Sequence, residues 1–410
     1  MAFVDLDIFS LSDEEKAIER TAKRFSAEVL RPASIELDKL PSAEDVIAEG
    51  SALWNVFKKY RELGFHKMIY PEEFGGLGLS GLASALVGEQ LGWGASDLAV
   101  SLGASGIPFF LAMLAPDPEL QKLAIEYAED EDARLIGCWA ITEPDHGSDW
   151  ILAGSEEGRD PKVAPSVRAV LDGDDYIISG QKSAWVSNAT IATHAALFVG
   201  LDPALGMHGT GVALIPLDMP GITRGKPLEK MAKRALNQGE IFFDDLRIPA
   251  GYMVTTDPDL NAMVGERILA AANAGMGSVY TGVAQAAFDE AFAYAKERVQ
   301  GGKPIIEHQN IKLRLFDMFR QVEAARSLSR RAVVYNSLAD MPAPEYSIAA
   351  KTFCTETAFK VASDAIQVLG GVGLTREYHV EKLFRDARAG MIEDGVNETL
   401  ALGGMDRLCE

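Results

Sequence analysis

Between Ile136 and Pro249 the apolar residues stop recurring every three or four positions and gather instead in short runs separated by Gly and Asp turns. No other feature of the chain constrains its fold as strongly. The runs RAVLDGDDYIISG, HAALFVGLD, TGVALIPLD and QGEIFFDDLRIP are bounded by turn residues and read as strands of a small antiparallel domain. Helical spacing holds on both sides of them. LSDEEKAIERTAKRFSAEVL opens with Ser12 as an N-cap, Glu15 three residues on, and apolar Ile18, Phe25, Val29 and Leu30, which predicts an amphipathic helix with a capping box. SALWNVFKKYRELG stops at Gly64, the residue that most readily takes the left-handed turn ending a helix. After Ile248 and Pro249, three long helical patterns follow: AQAAFDEAFAYAKERV, HQNIKLRLFDMFRQVEAARSLSRRAVVYN and SIAAKTFCTETAFKVASDAIQVLGG. The expected class is α+β, with helical, β and helical domains over residues 1–135, 136–255 and 256–410. A chain of 410 residues is long enough to give two or three domains substantial cores.

The formal net charge is −21 and the pI about 4.8, so the average field repels a phosphate backbone or an anionic bilayer. Nucleic acid is excluded as a partner on that ground, while an anionic small molecule in a locally basic pocket is not. The opening stretch MAFVDLDIFSLSDEEK is acidic, without a basic leader or cleavage pattern, which leads to the expectation of a cytoplasmic protein. The uncharged run Leu98 to Ala115 carries Gly, Ser and a central Pro108; it reads as a buried, kinked helix pair, not a membrane insertion. Cys138, Cys354 and Cys409 lie far apart and the histidines are scattered, so no metal site is expected. His146, between Asp145 and Gly147, reads as a loop histidine.

GLGLSG, Gly76 to Gly81, fits the G-x-G-x-x-G pattern of a dinucleotide fold, with Asp97 near the position of a ribose-binding acid. The preceding YPEEFGG puts Pro71, two acids and another glycine where a strand should enter the turn. No alternation of strand and helix surrounds it, so the fingerprint reading is set aside.

Four other segments carry more. They are AITEPDHGSD (Ala140–Asp149), GQKSAWVSNA (Gly180–Ala189), ERVQGGKPIIEHQ (Glu297–Gln309) and QVLGGVGLTREYHVEKLFRDARAGMIEDGVNET (Gln367–Thr399). In this order they resemble the T-E-P-x-x-G-S-D loop, the G-x-K-x-W-I-[ST]-N strand and the C-terminal segments of the acyl-CoA dehydrogenase family of flavoproteins. PEEFGGLG is similar to an N-terminal loop of the same family. The resemblance implies an N-terminal helical domain, a middle antiparallel β-barrel-like domain and a C-terminal four-helix-bundle domain. It also implies FAD, an acyl-CoA substrate, an electron-transfer flavoprotein as acceptor, and a homotetramer built as a dimer of dimers in which neighbouring subunits share the cofactor.

The hydroxyls of Thr142, Ser148 and Ser187, at the ends of β segments, suit the polar rim and phosphates of a flavin. Trp185 can cover an isoalloxazine face or serve as a core aromatic. By resemblance, Trp139, Ile141, Thr142, Ser148, Trp185, Val186 and Ser187 line the flavin, Ser148 also approaching the acyl-CoA. Arg298 and Gln309 reach the FAD of a neighbouring subunit, and Gln367, Gly370 and Gly371 bring backbone to it across the interface. Gly370 and Gly371 also fit a helix C-cap. Glu398 keeps a polar group close to where Val396 replaces a common threonine.

Desaturation α,β to a thioester needs a base for the α-proton and donors for the thioester oxygen. Counting from Gln367 by the family's spacing falls on Asp394, in IEDGV where I-Y-E-G-T is usual. Asp394 is thus the expected base and a substrate contact, its backbone N–H an oxyanion donor, with Glu393 pointing to solvent. Glu266 and Asp97 are the outside candidates. Aspartate withdraws its carboxylate by about 1.5 Å relative to glutamate, and a misplacement of about 1 Å can cost roughly a hundredfold. A branched or alicyclic acyl group, of the cyclohexane- or cyclohexene-carboxyl type, would bring its acidic carbon closer. Two rivals share the fold: an oxidase similar to nitroalkane oxidases, which place aspartate at the base position, and a non-catalytic CoA- or flavin-binding relative. The segment GQKSAWVSN has one residue more before the tryptophan than the usual pattern, Gly301 stands where phenylalanine is common, and Asn273 where arginine is.

Overall fold

The computed structural model describes residues 5–7 and 10–409; part of the acidic opening stretch lies outside them. Helices α1 (Asp13–Phe25) and α2 (Arg31–Asp38) run on through a π turn at Ser26–Leu30. The capping box forms as expected: Ser12 Oγ accepts the Glu15 N–H at 3.1 Å, and the Glu15 carboxylate accepts the Ser12 N–H at 2.8 Å. Short α3 (Ala43–Ile47) and α4 (Ala52–Glu62) follow, and Gly64, at φ 73°, ends the second of these. Next come α5 (Gly81–Gly94), α6 (Ser96–Ala112) and α7 (Pro118–Glu129). Ser80 caps α5 through the Ala83 N–H at 3.1 Å, and a 3-10 turn at Glu72–Phe74, not a strand, precedes the glycines of GLGLSG. The region expected to be a helix pair is one helix, α6, with Pro108 inside it. Its Leu98, Leu102, Phe109 and Leu111 are almost fully buried, so packing on all sides offsets the hydrogen bond that proline removes.

The middle of the chain forms an eight-stranded sheet from β1 (Gly137–Ala140), β2 (Arg168–Asp172), β3 (Asp175–Ser187), β4 (His194–Gly200), β5 (Thr210–Pro216), β6 (Ile222–Arg224), β7 (Gln238–Pro249) and β8 (Met253–Thr255). The order is β6-β7-β3-β2-β4-β5-β8, with β1 alongside β4. Pairings are antiparallel except β1 with β4 and the single β2–β4 contact at Arg168 and Gly200. Strands β3 and β7 pair Lys182 with Ile241 and Val186 with Gly239, so three residues of β3 oppose one of β7. The extra residue of GQKSAWVSN falls in this bulge, which turns Trp185 outward from the sheet. At Gly137, β1 lies directly on α6: a Cβ there would fall 2.5 Å from Pro108 Cδ and 2.6 Å from the Ser105 carbonyl. Asn188 Nδ2 secures the junction by donating to the carbonyls of Ser101 at 2.8 Å and Gly137 at 3.2 Å.

The C-terminal region is built on α8 (Pro258–Glu297), α9 (Gln309–Leu338) and α10 (Pro344–Leu369), joined by α11 (Val380–Gly390) and α12 (Asn397–Cys409). A small hairpin, β9 (Val299–Gln300) and β10 (Lys303–Pro304), links α8 to α9. The core is lined by Val283, Ala284, Ala287, Ala291, Met318, Val322, Ala358, Val361 and Ala365; alanines let the helix axes approach closely. Helix α5 lies against α8 and α9, fastened by buried Glu89, which accepts from Arg330 Nε at 2.7 Å and Arg326 Nε at 3.0 Å. Among the described residues no helix is long and apolar enough to cross a membrane.

Candidate active site

Loop 391–396, between α11 and α12, carries Asp394 in a left-handed backbone conformation, φ 51°. An L-residue other than glycine pays about 1–2 kcal/mol for that conformation, which persists only where the surroundings impose it. Here they do so from several sides. Ser148 Oγ accepts the Val396 N–H at 3.1 Å, joining the TEPDHGSD loop to loop 391–396. Lys351 of α10, its side chain buried, donates to the Gly395 carbonyl at 2.7 Å and to Asn397 Oδ1 at 2.8 Å. On the other side of Asp394, the Glu393 carboxylate accepts from the Lys233 ammonium and the Tyr280 hydroxyl. Glu393 therefore turns inward, correcting the expectation that it points to solvent: two buried donors hold it more strongly than water would.

The Asp394 carboxylate has no hydrogen-bond partner among the described residues, and none of them accepts from its backbone N–H. The residue is exposed to solvent while neighbouring groups crowd the carboxyl. Burial, and then repulsion by Glu393, pushes its carboxyl from 3.8 up to about 6, against the pull of Lys351 and Lys233. Burial in turn pushes the Lys351 ammonium down to about 8, opposed by the Asp394 and Glu393 charges. A carboxylate with a free lone pair and a raised pKa, on a backbone that cannot swing away, is equipped to take a proton.

The outside candidates are otherwise employed. Asp97 is fully buried, accepting from Lys382 Nζ at 2.8 Å, Ser34 Oγ at 2.9 Å and the Leu98 N–H at 2.9 Å. Burial alone would raise its carboxyl, but the Lys382 charge and these bonds hold it below the usual range. Glu266 pairs with Arg407 of α12.

The other expected site residues fall into two groups. In the first, Ser183 Oγ donates to Thr142 Oγ1 at 3.0 Å, Gln238 Nε2 donates to Ser187 Oγ at 3.5 Å, and Ser148 Oγ accepts from Val396 as above. Each of these three hydroxyls accepts within the protein and still has its proton to give. Trp185 is 59% exposed. Trp139 and Trp150 meet the Phe198 ring edge-on at 4.7 and 5.8 Å, in a cluster with half-buried Ile141. Val186 is buried in the core, so only its backbone can face a ligand. In the second group Arg298, Gln309, Gln367, Gly370 and Gly371 are all exposed, and a Cβ at either glycine would meet nothing within 4 Å. Glu398 is exposed in the first turn of α12.

One pair went unassigned in the sequence reading. Glu143 and Lys182, both letters of the two motifs, form a fully buried ion pair, Nζ to Oε1 2.7 Å. Lys182 also donates to the Ile141 carbonyl at 3.0 Å, and Glu143 accepts the N–H groups of Ser166 at 2.5 Å and Val167 at 3.2 Å. Burial pushes the Lys182 ammonium down to about 8, against the Glu143 charge. The pair moulds the TEPDHGSD loop instead of touching a ligand, and the only signal in the sequence was that an acid and a base occupy motif positions with no cofactor role.

Three family models match in chain order: the acyl-CoA dehydrogenase N-terminal domain over residues 12–115, the middle domain over 138–246 and the C-terminal domain over 262–408. This chain belongs to the acyl-CoA dehydrogenase family. A probable acyl-CoA dehydrogenase of Bacillus subtilis is 33% identical over 403 residues, covering 95% of this chain and 96% of its own. A cyclohex-1-ene-1-carbonyl-CoA dehydrogenase of Syntrophus aciditrophicus is 30% identical over 397 residues, covering 95% and 88%. Butyryl-CoA dehydrogenase from Megasphaera elsdenii superposes with a TM-score of 0.86 at 25% identity over the whole of both chains. Acyl-CoA dehydrogenases are FAD-dependent oxidoreductases, and the unspent hydroxyls, the outward Trp185 and the open Gly370–Gly371 backbone suit a flavin dinucleotide.

Proposed function

We propose that this chain desaturates an acyl-CoA thioester, with Asp394 as the base. The observation that carries this reading is the unpartnered Asp394 carboxylate on a pinned left-handed backbone beside the Ser148 loop. FAD, when bound, supplies the acceptor for the β-hydrogen as hydride. Asp394 takes the α-proton onto a carboxylate oxygen, and its free N–H donates to the thioester oxygen as enolate-like charge develops. Thr142, Ser148 and Ser187 donate to the flavin rim, Trp185 covers a ring face, and Trp139, Ile141 and the Val186 backbone complete the wall. Arg298 and Gln309, with Gln367, Gly370 and Gly371, hold the dinucleotide across a subunit boundary, Arg298 as a fixed cation for the diphosphate. Their exposure in a single chain supports a homotetramer as the working form. Electrons leave to an electron-transfer flavoprotein.

The acyl group is branched or alicyclic. Asp394 is shorter than the usual glutamate, and the pinned loop cannot advance to make up the difference, so a substrate whose α-carbon sits closer is favoured. The ring-acyl relative described above supports the same reading. Anaerobic flavin reduction across linear, branched and cyclic acyl-CoAs tests it. Cyclic or branched thioesters are expected to reduce fastest; a straight-chain optimum would overturn the substrate reading, and peroxide release with a nitroalkane but no reduction by any thioester would overturn the reaction itself.

A further inference from the structure

Glu393 takes no part in the chemistry just described, yet it is held more firmly than the base beside it. One oxygen, Oε1, receives both the Lys233 ammonium and the Tyr280 hydroxyl. Lys233 belongs to the loop between β6 and β7, and Tyr280 to the middle of α8, so three separate parts of the chain meet at this atom. Each partner is itself fixed. The Lys233 N–H donates to Asp386 Oδ1 at 2.6 Å, and the residue sits at φ 50°. The Tyr280 hydroxyl also lies 3.3 Å from the Asp386 carbonyl. Its ring fills space left by Gly390, where a Cβ would fall 2.2 Å from Tyr280 Cζ.

We propose that Glu393 is a positioning residue for the base: its anchored side chain locks the backbone that presents Asp394, and its negative charge sets the pH range in which Asp394 accepts a proton. This rests on Asp394 being the base. The groups that face Asp394 from the surrounding elements are Glu393 in its own loop, Lys351 on α10, and Lys233 in the β6–β7 loop, with Tyr280 and Asp394 also coupled by charge. Behind them stand Lys230, Asp386 and Glu398. Of these, Glu393 adds the like charge that opposes ionisation of Asp394, while Lys351 and Lys233 favour it. Neutralising Glu393 removes the repulsion and leaves Lys233 unopposed, so both changes stabilise the Asp394 carboxylate and weaken it as a base.

The test compares wild type with Glu393→Gln, Tyr280→Phe and Asp394→Asn, each as flavin-loaded enzyme with an acyl-CoA from the active panel. The acid limb of kcat is expected to move down by about one pH unit in Glu393→Gln, with a lower plateau and little change in KM. Infrared difference titration of carbon-13 aspartate, with Asp394→Asn as blank, is expected to show the same displacement without relying on turnover. Tyr280→Phe keeps both charges and loosens only the anchor; its limb is expected to stay in place while kcat falls by about tenfold. An unmoved limb and infrared titration in Glu393→Gln would overturn the proposal and leave the base standing. Equal displacement in Tyr280→Phe would overturn the role of the charge. Wild-type turnover in Asp394→Asn is the distinct outcome that removes the base itself.

Discussion

The loop that carries Asp394 and the exposed positions Arg298, Gln309, Gln367, Gly370 and Gly371 differ in how much of their surroundings one chain supplies. Around Asp394 every neighbour is engaged: Ser148 with Val396, Lys351 with Gly395 and Asn397, Lys233 and Tyr280 with Glu393. Arg298, Gln309, Gln367, Gly370 and Gly371 are instead exposed, with open space over the glycines. Reaction geometry has to be kept within fractions of an ångström and is built inside a single subunit, where the covalent chain and core packing fix it. Cofactor retention tolerates looser placement and, on the proposed reading, falls to a surface that a second subunit closes.

Mutations can break this contrast. Replacing Asp394 by Asn should lower kcat by about 10²–10⁴-fold while FAD content stays normal, as measured by anaerobic flavin reduction and flavin stoichiometry. Lys182→Met should cost about 3–5 kcal/mol of stability, because Glu143 is left charged and unpaired in the core; the readout is denaturant unfolding, and an unchanged midpoint would show that the TEPDHGSD loop does not depend on the pair. On the other side of the contrast, Arg298→Ala should weaken FAD retention by about tenfold or more, the worth of a charge-assisted contact, with near-normal turnover once flavin is saturating. Flavin titration separates this from a catalytic defect. Acid sensitivity sharpens the comparison further. Asp394 must be deprotonated to act, and its pKa of about 6 places the loss of rate in the window where pH falls through 6. Turnover at pH 5 should be about tenfold below that at pH 8, while FAD content over the same range stays constant.

Much of this was legible in the chain. The switch from helical to strand periodicity located the sheet, because side-chain period reports directly on which face an element buries. Ser12 with Glu15, and Gly64, marked a helix start and a helix end through contacts within one turn. Asp394 could be reached by counting from Gln367. The failures have a common cause. Glu393 looked like a solvent-facing acid because Lys233 and Tyr280, which turn it inward, lie 160 and 113 residues away in sequence. The buried partner of Lys182 is 39 residues distant, and the burial of Asp97 depends on Lys382, 285 residues on. Pro108 suggested a break in the helix, yet packing on all sides kept α6 whole.

Local periodicity and motif order were enough to determine the α, β, α succession and the family, and to single out Asp394 as the proposed base, since each depends on residues close together or in set order. Whether a given carboxylate is a free base, an anchor or half of a buried ion pair was decided only by the tertiary structure. An isolated Asp or Glu has nearly the same chemistry wherever it occurs. What separates Asp394, Glu393, Glu143 and Asp97 is the desolvation and the cationic partner that the fold gives each of them.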